Sequence, residues 1–322
     1  MKPRLNRRQF LSTSAYAATG VALGLSQSSC VEEPSVHTLR KALIIDKPTE
    51  EILKKVKDAG FDGVEAGIVS RADAVKARKV AERLGMRIHS VMRGWAKFNS
   101  EKADEVESSL AITVDALYAA QGYGADAILL VPGRIDAQPM PKPWEFRIGF
   151  DKKTGHLTAV AEKDNDRYRE YIASHNHAYD TFQAAIRRLI PAAEKTGVVI
   201  AIENVWNNLF VDPNHMAHFI DSFESRWVRA YFDIGNHVKY SPKGWIAVLG
   251  KRIVKCHVKD FKLNPDGRGG RFVNIREGSV DWPIVTKALR DIGYQGWMTI
   301  EGSEKLSMAE QSRRLDLILA GK

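Results

Sequence analysis

Two cysteines in 322 residues, Cys30 and Cys256, are too few for a disulfide framework, and neither stands in a CxxC or Cys/His zinc-type spacing. No GxGxxG follows an apolar run, which argues against a dinucleotide-binding fold, and no glycine-rich phosphate loop is present. The Ala/Gly-rich stretch Ala15–Leu25 is too short to span a bilayer as a stable anchor. Acids are missing from the first 29 residues, which carry Lys2, Arg4, Arg7 and Arg8; beyond them the net charge of +9 falls to +5, on bases scattered among acids. A basic balance of that kind is a solubility property and gives no nucleic-acid footprint. With 44% hydrophobic and 27% charged residues, the bulk of the chain can bury a large core and is not expected to be disordered.

What the N-terminus does hold is a targeting pattern. Asn6-Arg7-Arg8-Gln9-Phe10-Leu11 followed by the short apolar run is similar to a twin-arginine export signal. Gln27-Ser28-Ser29-Cys30 resembles a loose lipoprotein cleavage site that lacks the usual apolar residue three before the cysteine. Residues 1–30 are therefore expected to be a signal segment, with Cys30 a candidate lipid anchor, and 31–37 a linker. The expected location is periplasmic or membrane-anchored after export.

From Thr38 onward, strand-like and helix-like segments alternate. Apolar runs at Leu39–Ile45, Phe61–Gly67, Met86–Val91 and Ala125–Pro132 are separated by helical patterns that stop at Gly60, Gly85 and Gly122. The rhythm breaks over residues 134–175, where Pro139, Pro141 and Pro143 precede a hairpin signal at Phe146–Phe150 and His156–Val160; this insertion reads as a lid. It resumes with a helix at Tyr179–Lys195 and runs at Val198–Glu203, Val228–Asp233, Ile253–His257 and Trp297–Glu301, each followed by a further helix. Eight repeats over residues 38–322 predict an α/β fold, a (β/α)8 TIM barrel with an inserted hairpin or lid after the fourth strand. A doubly wound open sheet is the alternative.

The last four of these runs each end in a residue that can bind a metal: Glu203, Asp233, His257 and Glu301. Active sites of such barrels lie at the C-terminal strand ends. Any one of the four could be a structural acid or a satisfied core histidine. Together, three carboxylates and one imidazole suit one divalent ion, Mn²⁺ first, with Co²⁺, Mg²⁺ or Zn²⁺ as alternatives. Cys256 precedes His257 on its strand, so its side chain should point to the opposite face and pack.

The segments A-I-E-N-V-W, Y-F-D-I-G-N-H, C-H-V-K-D, G-S-V-D-W and T-I-E-G are similar to the sugar phosphate isomerase/epimerase family, the xylose isomerase-like TIM-barrel group. The resemblance covers about residues 38–320. It implies that Glu203, Asp233, His257 and Glu301 bind the metal and that Glu203 and Glu301 are the catalytic acid/base pair. It implies a carbohydrate substrate whose α-proton is exchanged through an enediolate that the metal stabilises. Lys259 shares the strand face of His257 and could hold a substrate oxygen. His237 lies one residue further from Asp233 than the substrate-contacting histidine of ketose epimerases. Glu65 and His89, on the second and third strands, could bind substrate hydroxyls or make structural hydrogen bonds; Trp206 and Trp95 could stack on a sugar or pack. The chain departs from the ketose 3-epimerases at H-V-K-D-F-K-L-N, where those enzymes carry an arginine soon after the histidine.

The leading expectation is thus a metal-dependent isomerase or epimerase of a sugar or related hydroxy-carbonyl compound. A lyase that eliminates from 3-keto-glycosides with the same residues is the second. A phosphodiesterase resembling endonuclease IV would need more histidines at strand ends, and a sugar-binding lipoprotein would not need Glu203 and Glu301. The oligomeric state stays open.

Overall fold

Strand β1 (Arg40–Ile45) enters a closed barrel whose neighbours are all parallel. The computed structural model describes residues 39–322, so the signal segment, the linker and Cys30 lie outside the described residues. Helix α1 (Glu50–Asp58) follows β1; the Thr49 side chain caps it by accepting from the Ile52 amide, acids fill its first turn, and Gly60, at φ +91°, reverses the chain behind it. The remaining units are β2 (Gly63–Ala66), α2 (Arg71–Arg83), β3 (Arg87–Trp95), α3 (Ala103–Tyr123) and β4 (Ala127–Val131). A two-stranded hairpin, β5 (Gly149–Phe150) and β6 (Leu157–Ala159), interrupts them. Then come α4 (Arg169–Thr196), β7 (Val199–Glu203), α5 (Pro213–Asp221), β8 (Val228–Asp233), α6 (Pro242–Leu249), β9 (Ile253–Val258), a second hairpin of β10 (Asp260–Leu263) and β11 (Gly270–Val273), α7 (Trp282–Asp291), β12 (Trp297–Ile300) and α8 (Met308–Leu319).

The barrel order is β1-β12-β9-β8-β7-β4-β3-β2, the eight-stranded closure expected of the alternating pattern. Strands such as β2 and β4 are buried at every position because helices cover one face and the lumen the other. Outward residues including Ile128, Ile200, Phe232 and Cys256 pack against the helices, so Cys256 is the buried packing residue expected. Inward residues Ala127, Leu129, Ala201 and Tyr231 fill the lumen on one side. Alternation then puts Glu203, Asp233 and His257 at its mouth, each two residues beyond an inward neighbour.

Two differences from the sequence reading are physical. Helix α4 starts at Arg169, ten residues before the expected Tyr179 and inside the stretch read as insertion. Tyr171, His175, Ala178 and Phe182 form one buried stripe at helical spacing, but tyrosine and histidine disguise it as polar. The second hairpin was not expected at all, although Asn264-Pro265-Asp266-Gly267 is a strong turn sequence and the Asn264 side chain closes the turn on the Arg268 carbonyl at 2.8 Å. Among the described residues no helix is long and apolar enough to cross a membrane.

Candidate active site

Four strand ends meet at the barrel mouth. Glu203 closes β7, Asp233 closes β8, His257 lies on β9 beside Asp233 in register, and Glu301 directly follows β12. One ligand-competent atom from each lies within 4.8 Å of all the others. His257 Nδ1 is 3.0 Å from Glu301 Oε2 and 3.5 Å from Glu203 Oε1. Three of the inward atoms, Asp233 Oδ2, His257 Nδ1 and Glu301 Oε2, are buried and make no well-aligned hydrogen bond. Unpaired buried polar atoms are costly, and here they face one another; a divalent cation would satisfy all of them. The donor set therefore fits such an ion.

Several atoms that point away from the cluster are held. His257 Nε2 donates to Glu65 Oε2 at 2.7 Å, and Glu65 also accepts from Ser90 Oγ (2.9 Å) and Tyr231 OH (3.2 Å). Asp233 Oδ1 accepts the Asn236 amide at 2.6 Å. Asn204, the residue after Glu203, bridges both backbone groups of Asp233: its Oδ1 accepts the amide at 2.7 Å and its Nδ2 donates to the carbonyl at 2.8 Å. His257 and Asp233 are thus aimed at the cluster by their own partners.

Electrostatics separates the four. Burial works against charge on His257, but the Glu65 carboxylate and the nearby carboxylates of Glu203 and Glu301 outweigh it and raise the imidazole well above its usual range. Burial raises Asp233 and Glu203, opposed by Lys259 and His257. Glu301 goes the other way: burial is overcome by His257 and Lys259, which hold it well below the carboxylate range. Lys259 Nζ sits 2.8 Å from Glu301 Oε1 and 3.7 Å from Asp233 Oδ2, and these acids raise it despite its burial.

Beyond the mouth lies a cavity of about 400 Å³. Its wall comes from residues 134–146 of the insertion, the stretch after β7, the turn after β8 and the β10–β11 hairpin. The four clustered residues are not on that wall, but a chain of side-chain contacts links the two. The Lys259 ammonium is 5.0 Å from the Phe272 ring centre, and Phe272 packs 5.1 Å from Trp206 and 5.0 Å from Phe261, both of which line the cavity.

The remaining expected residues divide. Trp206 and His237 do line the cavity; Trp206 Nε1 donates to the Asn236 carbonyl at 2.6 Å, and His237 Nε2 donates to the Phe210 carbonyl at 3.1 Å. Glu65 is wholly buried, and its observed bond is the structural one to His257. His89 sits lower in the lumen, stacked on Trp297 at 4.4 Å with Nε2 bonded to Thr299 Oγ1 at 3.0 Å, and it too is structural. Trp95 is off the cavity wall, 46% exposed, with the Arg134 guanidinium 4.8 Å over its ring. Sequence reasoning missed the Asn204 bridge, although Asn204 is in a quoted motif, and missed Lys239 on the cavity wall.

Comparison with known proteins places this geometry. The family model described as xylose isomerase-like TIM barrel matches residues 53–316. The chain is 23% identical over 283 residues to the rhizopine catabolism protein MocC of Rhizobium meliloti, covering 82% of this chain and 77% of that protein. Among solved structures, the 3-keto-D-glucoside 4-epimerase YcjR from E. coli superposes with a TM-score of 0.64 at 12% identity, over 88% of this chain and all of that one. A D-psicose 3-epimerase crystallised in the presence of D-fructose does so with a TM-score of 0.62 at 17% identity, over 87% and 99%.

Proposed function

The chain belongs to the xylose isomerase-like TIM-barrel family, and from that premise we propose that it is a metal-dependent isomerase or epimerase of a sugar or related hydroxy-carbonyl compound. The observation that carries this reading is the convergence of Asp233 Oδ2, His257 Nδ1 and Glu301 Oε2, all buried and facing one another without a well-aligned hydrogen bond, with Glu203 beside them. Named relatives with sugar substrates, the 3-keto-D-glucoside and D-psicose epimerases, add support for the substrate class.

A divalent cation held by Glu203, Asp233, His257 and Glu301, Mn²⁺ being the best match to three carboxylates and an imidazole, would supply Lewis-acid polarisation of the substrate carbonyl. The residues do the proton work. One of Glu203 and Glu301 removes the proton from the carbon next to the carbonyl, leaving an enediolate; the other returns a proton, to the opposite face for epimerisation or to the neighbouring carbon for isomerisation. Lys259, bonded to Glu301, donates to a substrate oxygen and stabilises the negative charge that develops there. Glu65 keeps His257 facing the cluster. The insertion acts as a lid over the cavity it helps to line, and closure would exclude water from the proton transfer.

A second reading is favoured by the cavity. An isomerase of a small free sugar needs no compartment of about 400 Å³ beyond its reacting centre, whereas a 3-keto-glycoside would put its leaving group there. In that lyase the same proton comes off C2, the C1–O bond breaks, the C1–C2 double bond forms, and the departing oxygen takes a proton. Incubation with ketoses and with 3-keto-glucosides in D₂O separates the two by NMR. Deuterium next to the carbonyl with an intact skeleton supports the isomerase, released alcohol supports the lyase, and no exchange with any substrate contradicts both. We also propose twin-arginine export with lipidation at Cys30; mass spectrometry of the mature N-terminus from membrane and periplasmic fractions tests it, and an unprocessed Met1 would refute it.

A further inference from the structure

We infer that the cavity beyond the barrel mouth is a compartment for the group attached to the reacting sugar, and that this group is a ring bearing an anionic substituent. The inference rests on the reading that the sugar itself reacts at the four-residue cluster. Contiguity is the first support: Lys259 contacts Glu301 on one side and the Phe272 ring on the other, and Phe272 abuts two rings of the cavity wall. A substituent on a sugar centred on the cluster would extend toward the cavity past Lys259.

The wall's chemistry says what fits. Trp144, Trp206, Phe210 and Phe261 give flat apolar faces, suited to an aromatic ring or a second sugar ring. No aspartate or glutamate is on the wall, but two cations are, Arg134 and Lys239. Neither forms an ion pair among the described residues; each is parked on a ring instead, Lys239 Nζ 4.1 Å from the centre of Trp206 and Arg134 4.8 Å from that of Trp95. Arg134 is solvent-exposed, but Lys239 is half-buried; other half-buried cations are bonded to acids, Arg314 to Glu277 and Glu310 and Lys41 to Asp316, or, like Arg93, to Thr113 Oγ1 and the Ser109 carbonyl. A cation drawn out of water with no counter-charge is unfavourable, and burial lowers the Lys239 ammonium to about 8. An anionic group entering the cavity would provide the missing partner through a charge-assisted bond. The segment carrying Lys239 is also strained: Ser241, two residues on, holds φ +62° without being glycine, a conformation retained where the surroundings demand a fixed backbone.

Calorimetry on the Mn²⁺-loaded full chain tests this without turnover. The probes are methyl, phenyl and 4-carboxyphenyl β-D-glucoside and a glucuronyl-glucose disaccharide. The inference expects phenyl to bind more tightly than methyl, and at least one carboxylate probe to bind about tenfold more tightly than phenyl, the size of one charge-assisted contact. Which carboxylate probe gains tells an aryl acid from a uronate. Lys239→Met should abolish the carboxylate gain while phenyl binding persists, and Lys239→Arg should restore it. Equal affinities for all four probes, or a carboxylate gain that survives Lys239→Met, would overturn the inference. Failure of the proposed chemistry would look different: tight carboxylate binding with no deuterium exchange. Exchange on free ketoses alone, with no carboxylate gain, would overturn the compartment and leave the isomerase.

Discussion

His257 Nε2 donates to Glu65 Oε2 across the barrel at 2.7 Å, joining residues 192 positions apart and leaving His257 Nδ1 to face Glu203 and Glu301. That one bond decides which imidazole nitrogen is offered to an ion. Replacing Glu65 by glutamine keeps the shape but removes the charge that orients and enriches the imidazole. Divalent-ion affinity should fall about 10–100-fold, the usual effect of losing a ligand's hydrogen-bond partner, with little change in the folded far-UV circular dichroism spectrum. Unchanged affinity by calorimetry would remove Glu65 from the site.

Metal loading should also release a proton. In the metal-free protein burial is outweighed by Glu65 and the cluster acids, which raise His257 well above its ordinary range, so it holds its proton more tightly than a free histidine. An ion can bind Nδ1 only after that proton leaves. Calorimetry of Mn²⁺ binding in buffers of different ionisation heat should report net proton release at pH 7, and affinity that weakens as pH falls. Zero protons released would contradict the raised imidazole.

Lys259 competes with a metal for the same acids, 2.8 Å from Glu301 and 3.7 Å from Asp233. Lys259→Met should therefore strengthen divalent-ion binding, by about tenfold or more on electrostatic grounds, while slowing α-proton exchange by about 10²-fold through loss of its contact with the substrate oxygen. A variant that loses both affinity and exchange would show that Lys259 is structural.

How much of this was readable beforehand depends on which interaction a residue answers to. Glu203, Asp233, His257 and Glu301 are legible because each terminates a short apolar run, and a parallel barrel brings such ends together. Glu65 is as central, but an acid inside G-V-E-A shows no sign that its partner lies on a distant strand. The start of α4 was hidden because Tyr171 and His175 are buried through specific bonds, to the Asn208 and Leu209 carbonyls, that residue type alone does not announce. The β10–β11 hairpin was legible in its turn residues and was overlooked because the βα rhythm leaves no slot for it.

Buried histidines make the insertion sensitive to acid. His215 donates to the Gly155 carbonyl at 2.8 Å, tying the β5–β6 hairpin to α5, and burial lowers it to about 4; His175 is lowered to about 3 by the same cause. Both pKa values lie below the unfolded value of about 6.5. The unfolded chain therefore takes up protons first as pH falls, so stability is full above about 6.5 and is lost progressively below it. By pH 5 the loss should be about 2 kcal/mol per histidine, read as a falling Tm. A Tm that is flat from pH 7.5 to 5 would contradict the assignment.

The central claim is that four side chains grip one ion at the barrel mouth. Anomalous diffraction from crystals grown with Mn²⁺ tests it directly. The account requires one strong peak bounded by Glu203, Asp233, His257 and Glu301, and its loss when Asp233 is replaced by alanine. A protein that diffracts well with Mn²⁺ present but shows no peak there, or holds the ion elsewhere, would contradict it.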